Sequence, residues 1–316
     1  MYEEPLMKRL GILILVICTL FPLIARGNNE AQNTSDLPVR IAVSIEPQHY
    51  VVDRIAGNLA QTVVLVGPGQ SPHSYEPTPR QMAELSQADA WITSNTDFEG
   101  ALKPKIMSLY PELLVVDGTE GVTFRSLEEH HDDEHDHMEE DESDYAENID
   151  QHTWLGKEPM KILAQKTAQT LIYLDPAHTD TYNTNLGEFL GDIDELFSRL
   201  TQELAALAGT TIFVYHPSFG YLLDEFSITQ KAVETGGKEP TARALSQLIS
   251  EAQKVQPPAL FVQAQFPVQA AQTIAQSINA QVLPLDPLAY DWIANISLIG
   301  ETLKQTLVNS DKEVVQ

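Results

Sequence analysis

The chain has 316 residues and a single cysteine, Cys18. That one thiol lies in an apolar N-terminal run, so the remainder offers no disulfide, no thiolate metal ligand and no cysteine nucleophile. Basic residues are also scarce. Nineteen Lys and Arg stand against forty-five Asp and Glu, a formal net charge of −26. This deficit disfavours nucleic acid and anionic membrane surfaces as partners and favours cations. No apolar run is long enough for an ordinary membrane-spanning helix. Residues 10–24 come nearest, at about fifteen residues, and follow the basic pair Lys8 and Arg9. With Ala25 and Gly27 at the small-residue positions of a cleavage site, residues 1–27 read as a signal peptide. Ile17 stands where a lipid-attachment motif has a small residue before the cysteine, which disfavours lipidation of Cys18. A periplasmic address follows, with residues 28–37 as a polar tether. There is no HExxH motif and no evident general base of a zinc hydrolase, so an enzyme is not expected.

What the chain has in excess is concentrated. Residues 128–150 hold thirteen carboxylates and four histidines, His130, His131, His135 and His137, with no Lys or Arg. Such a segment cannot bury enough apolar surface to offset its ordering entropy. A disordered acidic loop over 128–148 is expected, with those histidines as weak metal ligands. The bland reading is a solvated acidic loop, but four of the nine histidines fall within eight residues.

Elsewhere, short β-branched runs alternate with helical patterns, the rhythm of βαβ units and parallel sheets. Strands are expected at 39–44, 62–66, 90–93 and 113–116, then at 211–215, 230–234, 259–263 and 281–283. Helices are expected at 48–57, 78–87, 99–108, 220–226, 241–255 and 268–278. Between the halves, Leu186, Phe189, Leu190, Ile193, Leu196, Phe197, Leu200, Leu204 and Leu207 recur at threes and fours. This predicts one amphipathic helix over 177–207, about 45 Å long. The fold class is therefore α/β: two similar lobes, each a mainly parallel sheet flanked by helices, joined by one long helix. The divisions are 38–175, 176–208 and 209–316.

Five histidines lie outside the acidic loop: His49, His73, His152, His178 and His216. His49 and His178 sit at helix starts and receive no role. His73, His216 and also Asp286 follow predicted strands, where open α/β sheets place ligands. His152 follows the acidic loop and precedes a helix. Three imidazoles and a carboxylate suit tetrahedral Zn²⁺, whereas Mn²⁺ prefers more oxygen.

The segments HSYEPTPRQ around His73, DQHTWL around His152, YHPSFGYLLDEF around His216 and LDPL around Asp286 occur in this order, with the His-rich insertion between the first two. Together they resemble the ZnuA/TroA-like solute-binding proteins of bacterial ABC importers, across the whole mature chain. The resemblance implies a C-clamp of two lobes on a rigid helix, with metal between them held by His73, His152, His216 and Asp286. It implies a monomer that captures Zn²⁺ and passes it to an ABC permease, the His-rich loop acting as a weak collector or sensor. Asp286 is the open position: Glu76 or water are the alternatives for the fourth ligand. Gln263 stands where family members often carry an acidic residue. A manganese or iron receptor of the same family, or a metal-dependent adhesin, are the competing readings.

Overall fold

The computed structural model describes residues 37–127, 149–234, 241–266 and 268–313. The leader, Cys18, the tether up to residue 36 and the four loop histidines lie outside the described residues.

Each half builds one four-stranded parallel sheet. The first contains β1 (Val39–Val43), β2 (Ala60–Val64), β3 (Ala90–Thr93) and β4 (Leu114–Asp117), in the order β2-β1-β3-β4. The second contains β5 (Thr211–Val214), β6 (Thr229–Ala232), β7 (Ala259–Val262) and β8 (Gln281–Pro284), in the equivalent order β6-β5-β7-β8. All strand pairs are parallel. Every residue of β3 (AWIT) and β7 (ALFV) is buried, as expected of inner strands of parallel sheets covered by helices on both faces. The connecting helices are α1 (Glu46–Ala56), α2 (Pro79–Leu85), α3 (Asp97–Leu109), α4 (Lys157–Leu174), α5 (Thr179–Glu203), α6 (Gly220–Asp224), α7 (Ala242–Val255), α8 (Val268–Ser277) and α9 (Trp292–Glu313).

The predicted fold class and all eight strands are present, with shifted edges. The strand expected at 62–66 starts at Ala60. Leu65 and Val66 still donate to Val43 and Ser44, so the ladder runs on as the strand bends into the following loop. The long helix is shorter than the thirty-odd residues its periodicity suggests. It has 25 residues, about 37 Å. A tight turn at Ala205–Leu207 carries the apolar stripe beyond its C-terminal end, whereas the turn at Pro176–His178 buries no side chain. Helix α4, of which only the start was expected, spans eighteen residues. Its buried face is Met160, Leu163, Ala164, Thr167, Ala168, Thr170 and Leu171. Small and hydroxylated residues on that face mute the apolar period. Thr167 and Thr170 satisfy their hydroxyls on the carbonyls of Leu163 and Lys166. The terminal helix α9 escaped the sequence reading altogether.

Helix α5 carries the core from one lobe into the other. Tyr182, Phe189, Ile193, Phe197 and Leu200 are all buried within a continuous cluster running from β1 to α9. Phe189 meets Tyr50 of α1 edge-on at 5.9 Å and Trp292 of α9 at 6.4 Å. Phe197 stacks on both Trp292 and Phe226. A second cluster, built on Phe213, Leu260, Leu248 and Ile274, fills the other face of the second sheet. Because close-packed interiors resist shear, the shared core makes the lobes and α5 one mechanical unit.

Helix α9 approaches α5 closely at Gly300, where a β-carbon would overlap the fully buried Leu200 side chain. Gly300→Ala is expected to lower unfolding stability by about 1–3 kcal/mol through overpacking. Urea denaturation followed by circular dichroism measures it, and an unchanged midpoint would show that the contact relaxes freely.

Candidate metal centre

Three loops at the carboxyl ends of the strands bring His73, His152 and His216 together. One ring nitrogen from each lies within 4.8 Å of the others. His73 Nε2 and His152 Nε2 approach His216 Nε2 to 3.0 and 3.1 Å. The edge of a tetrahedral zinc–nitrogen set is about 3.3 Å, close to both of these distances. A cavity of about 20 Å³ adjoins the three rings, walled by Trp154, Phe266 and Leu288.

Each imidazole is aimed by a carboxylate on its other nitrogen. His73 lies in a loop stiffened by Pro72 and Pro77, and its Nδ1 is 2.6 Å from Asp97 Oδ2. Asp97 opens α3, and the preceding turn is held by buried Glu99, which accepts from the amides of Ser94 and Thr96. His152 Nδ1 lies 2.8 Å from Asp150 Oδ1, which also accepts from the His152 amide. His216 Nδ1 lies 3.2 Å from Glu234 Oε2. That pair follows from register: Val214 faces Ala232 across β5 and β6, and the ladder continues through Glu234 N to Tyr215 O. With Nδ1–H donated to a carboxylate, the neutral ring leaves Nε2 as a lone-pair donor. Three such lone pairs converge, an arrangement that repels until a cation sits among them.

The frame around the rings is polar and mostly hydrogen-bonded, although Glu234 Oε1 and Gln265 Oε1 are buried without a hydrogen-bond partner among the described residues. Gln263, fully buried at the end of β7, accepts from His216 N and donates to His216 O at 2.7 Å and to Ser218 Oγ at 3.0 Å. An amide does this as donor and acceptor at once, which a carboxylate at that position cannot. Phe266 stacks on His216 at 4.9 Å. Across the lobes, Trp154 Nε1 donates to Pro287 O and Trp292 Nε1 donates to Trp154 O, each at 2.7 Å.

Asp286 is not gathered with the histidines. Its Oδ1 accepts from Leu288 N at 2.9 Å and lies 3.5 Å from Gln265 Nε2, a local turn that keeps the carboxylate beside the site rather than in it. Glu76 is exposed on the His73 loop and is likewise outside the cluster. His49 pairs with Glu46 and Asp53, and His178 with Asp175, both away from the centre. The sequence reading missed Asp97, Asp150 and Glu234. Only Asp150, two residues before His152, carried a local signal.

The electrostatics favour an uncharged His216 ring. Burial, with the neighbouring His152 and His73 adding to it, lowers the His216 pKa from 6.5 to about 4 against the pull of Glu234. The hydrogen bond with His73 holds Asp97 below its ordinary value. Burial pushes Asp150 up, but His152 and Arg125 outweigh it and hold the carboxyl low. The neutral His216 is thus bound by the fold, while the unfolded chain takes its proton near pH 6.5. Its contribution is complete above that pH and is lost as pH falls towards about 4, amounting to about 3 kcal/mol. Urea unfolding of the metal-stripped protein between pH 7 and 4 should show that decline, and His216→Gln should flatten it.

Comparison with known proteins agrees with this geometry. The family described as zinc-uptake complex component A, periplasmic, matches residues 41–305. ZnuA, a high-affinity zinc uptake system protein of Bacillus subtilis, is 24% identical over 290 residues, covering 88% of each chain. The zinc-binding lipoprotein AdcA of Streptococcus pneumoniae is 23% identical over 286 residues, 89% of this chain, but the match spans only 56% of AdcA. A crystal structure of a ZnuA superposes with a TM-score of 0.76 at 32% identity, covering 85% of this chain and 99% of that one. The periplasmic zinc-binding protein TroA of Treponema pallidum shares the fold at a TM-score of 0.74 and 16% identity, over 86% and 99% of the two chains. Among the described residues, no helix is long and apolar enough to cross a membrane. The chain belongs to the family of periplasmic A components of zinc-uptake complexes.

Proposed function

We propose that this chain captures Zn²⁺ in the periplasm and delivers it to an ABC-type permease, with His73, His152 and His216 as the metal's nitrogen ligands. The observation that carries the reading is the convergence of three Nε2 atoms, each ring pinned at Nδ1 by a carboxylate. Carboxylate–histidine pairs of this kind fix the tautomer and raise ligand basicity in metal sites. Three nitrogens in a small, largely buried pocket suit zinc better than manganese, which favours oxygen and a larger coordination shell. A ZnuA deletion mutant with zinc bound is among the similar structures, at 32% identity and a TM-score of 0.76. The fourth ligand is an oxygen. Asp286 can supply it by turning away from Leu288 N, and water is the substitute if it does not. The acidic segment 128–148 serves as a weak collector that raises zinc near the cleft, consistent with the net charge of −26. Cleavage after residue 27 and a monomeric mature protein belong to the same reading.

Calorimetric titration of metal-stripped protein with zinc tests this directly. One tight site plus several weak ones is expected, and a variant lacking residues 128–148 should keep only the tight one. Loss of tight binding in that variant would make the loop the primary site and remove the three histidines from that role. His152→Ala should abolish the tight site. Asp150→Asn should weaken it about 10–100-fold. Asp286→Ala separates the two fourth-ligand assignments: a loss well beyond tenfold supports the carboxylate, and near-parental affinity supports water.

A further inference from the structure

Arg125 lies outside the three-histidine centre, yet it touches both the carboxylate that aims His152 and the helix that follows His216 in the chain. Its Nη1 donates to Asp150 Oδ2 at 2.8 Å, and Asp150 Oδ1 is the atom that orients His152. Its Nε donates to Asp224 Oδ2 at 2.9 Å, at the end of α6, the helix that follows His216. The backbone repeats the connection. Arg125 N donates to the Tyr221 hydroxyl, which donates to Asp150 O, each at 3.0 Å, while Arg125 O accepts from Asp150 N at 2.9 Å. Gly220 supplies the slot: a β-carbon there would overlap the guanidinium.

We infer that Arg125 is a positioning residue for the bound metal, one guanidinium tying the carboxylate behind His152 to the helix behind His216 and so setting how long the ion is held. The inference rests on the zinc-capture reading.

The physical case has three parts. Asp150 is 0% exposed, and a buried carboxylate is tolerated only when paired and hydrogen-bonded. The planar guanidinium presents donors in fixed directions from separate atoms, Nη1 to Asp150 and Nε to Asp224, a rigid fork that a single ammonium nitrogen does not reproduce. The two arms differ in setting. The Asp150 arm is dry, while Asp224 is 57% exposed. The buried arm therefore fixes the His152 ring, and the outer arm fixes where the first lobe meets α6. Loss of the guanidinium frees Asp150 and lets His152 swing, which speeds release more than it slows capture.

The test uses the mature protein loaded with Zn²⁺ alone and chased with excess chelator to read the dissociation rate, with calorimetry for affinity. Arg125→Met is expected to release zinc about 10–100-fold faster, with the association rate changed far less. Arg125→Lys, which keeps the charge but not the fork, should fall between it and the parent. Gly220→Ala, which evicts the guanidinium without altering it, should release zinc faster in the same way, and it carries the test if Arg125→Met does not fold. With Co²⁺ in place of zinc, both variants should change the visible ligand-field spectrum, a signature that general destabilisation would not produce. Zinc release within about twofold of the parent, with an unaltered cobalt spectrum, overturns the inference and leaves the zinc reading intact. A parent that holds no zinc tightly overturns both.

Discussion

Everything at the centre depends on the pairing of each imidazole with a carboxylate through Nδ1. Asp97, Asp150 and Glu234 come from a helix start, a loop and the end of an edge strand, yet each performs the same task. Each accepts at Nδ1 of its ring, so that in the neutral form the other nitrogen, Nε2, carries the lone pair. Without that constraint the rings could adopt either tautomer or rotate apart, and the three Nε2 atoms would relieve their mutual repulsion by moving. With it, the three Nε2 atoms face one point, an arrangement that a cation would complete. Preorganisation of this kind raises affinity because the cost of gathering the ligands is met during folding.

The fold can sustain such a site because its two sheets are not independent bodies. One apolar cluster extends from β1 through α5 to α9, and the aromatic contacts of Phe189 and Phe197 with Trp292 lie on that path. Near the three histidines, the bonds from Trp154 Nε1 to Pro287 O and from Trp292 Nε1 to Trp154 O close the same seam with buried polar contacts. A hinge would have to break both the apolar and the polar halves of this seam.

Charge has a separate role. The chain's surplus of carboxylates creates a field that draws cations from a distance. The three imidazoles bring nitrogen donors, and burial favours the neutral form of His216. Long-range attraction and short-range selection are therefore assigned to different residues: aspartates and glutamates on the one hand, imidazole geometry on the other.

Much of this was legible along the chain, for identifiable reasons. A strand such as AWIT or ALFV is apolar on both faces, so its place inside a parallel sheet can be read locally. The stripe on α5 repeats at helical spacing because one face is buried throughout its length. The three histidines were visible because each occupies an irregular loop at the carboxyl end of a sheet. Helix α4 was only partly legible, because alanines and threonines fill its buried face. Asp286 illustrates the opposite case. Its place after a strand marked it as a ligand, but the backbone turn to Leu288 holds its carboxylate aside. Asp97 and Glu234 could not be found locally at all, since 24 and 18 residues separate them from the rings they orient. The amino-acid sequence alone determined the element types, the parallel architecture and the chemistry of the candidate ligands, because these follow from short-range periodicity and residue type. Tertiary structure alone decided which nitrogens converge and which carboxylates aim them, because those distances exist only once distant segments share one core.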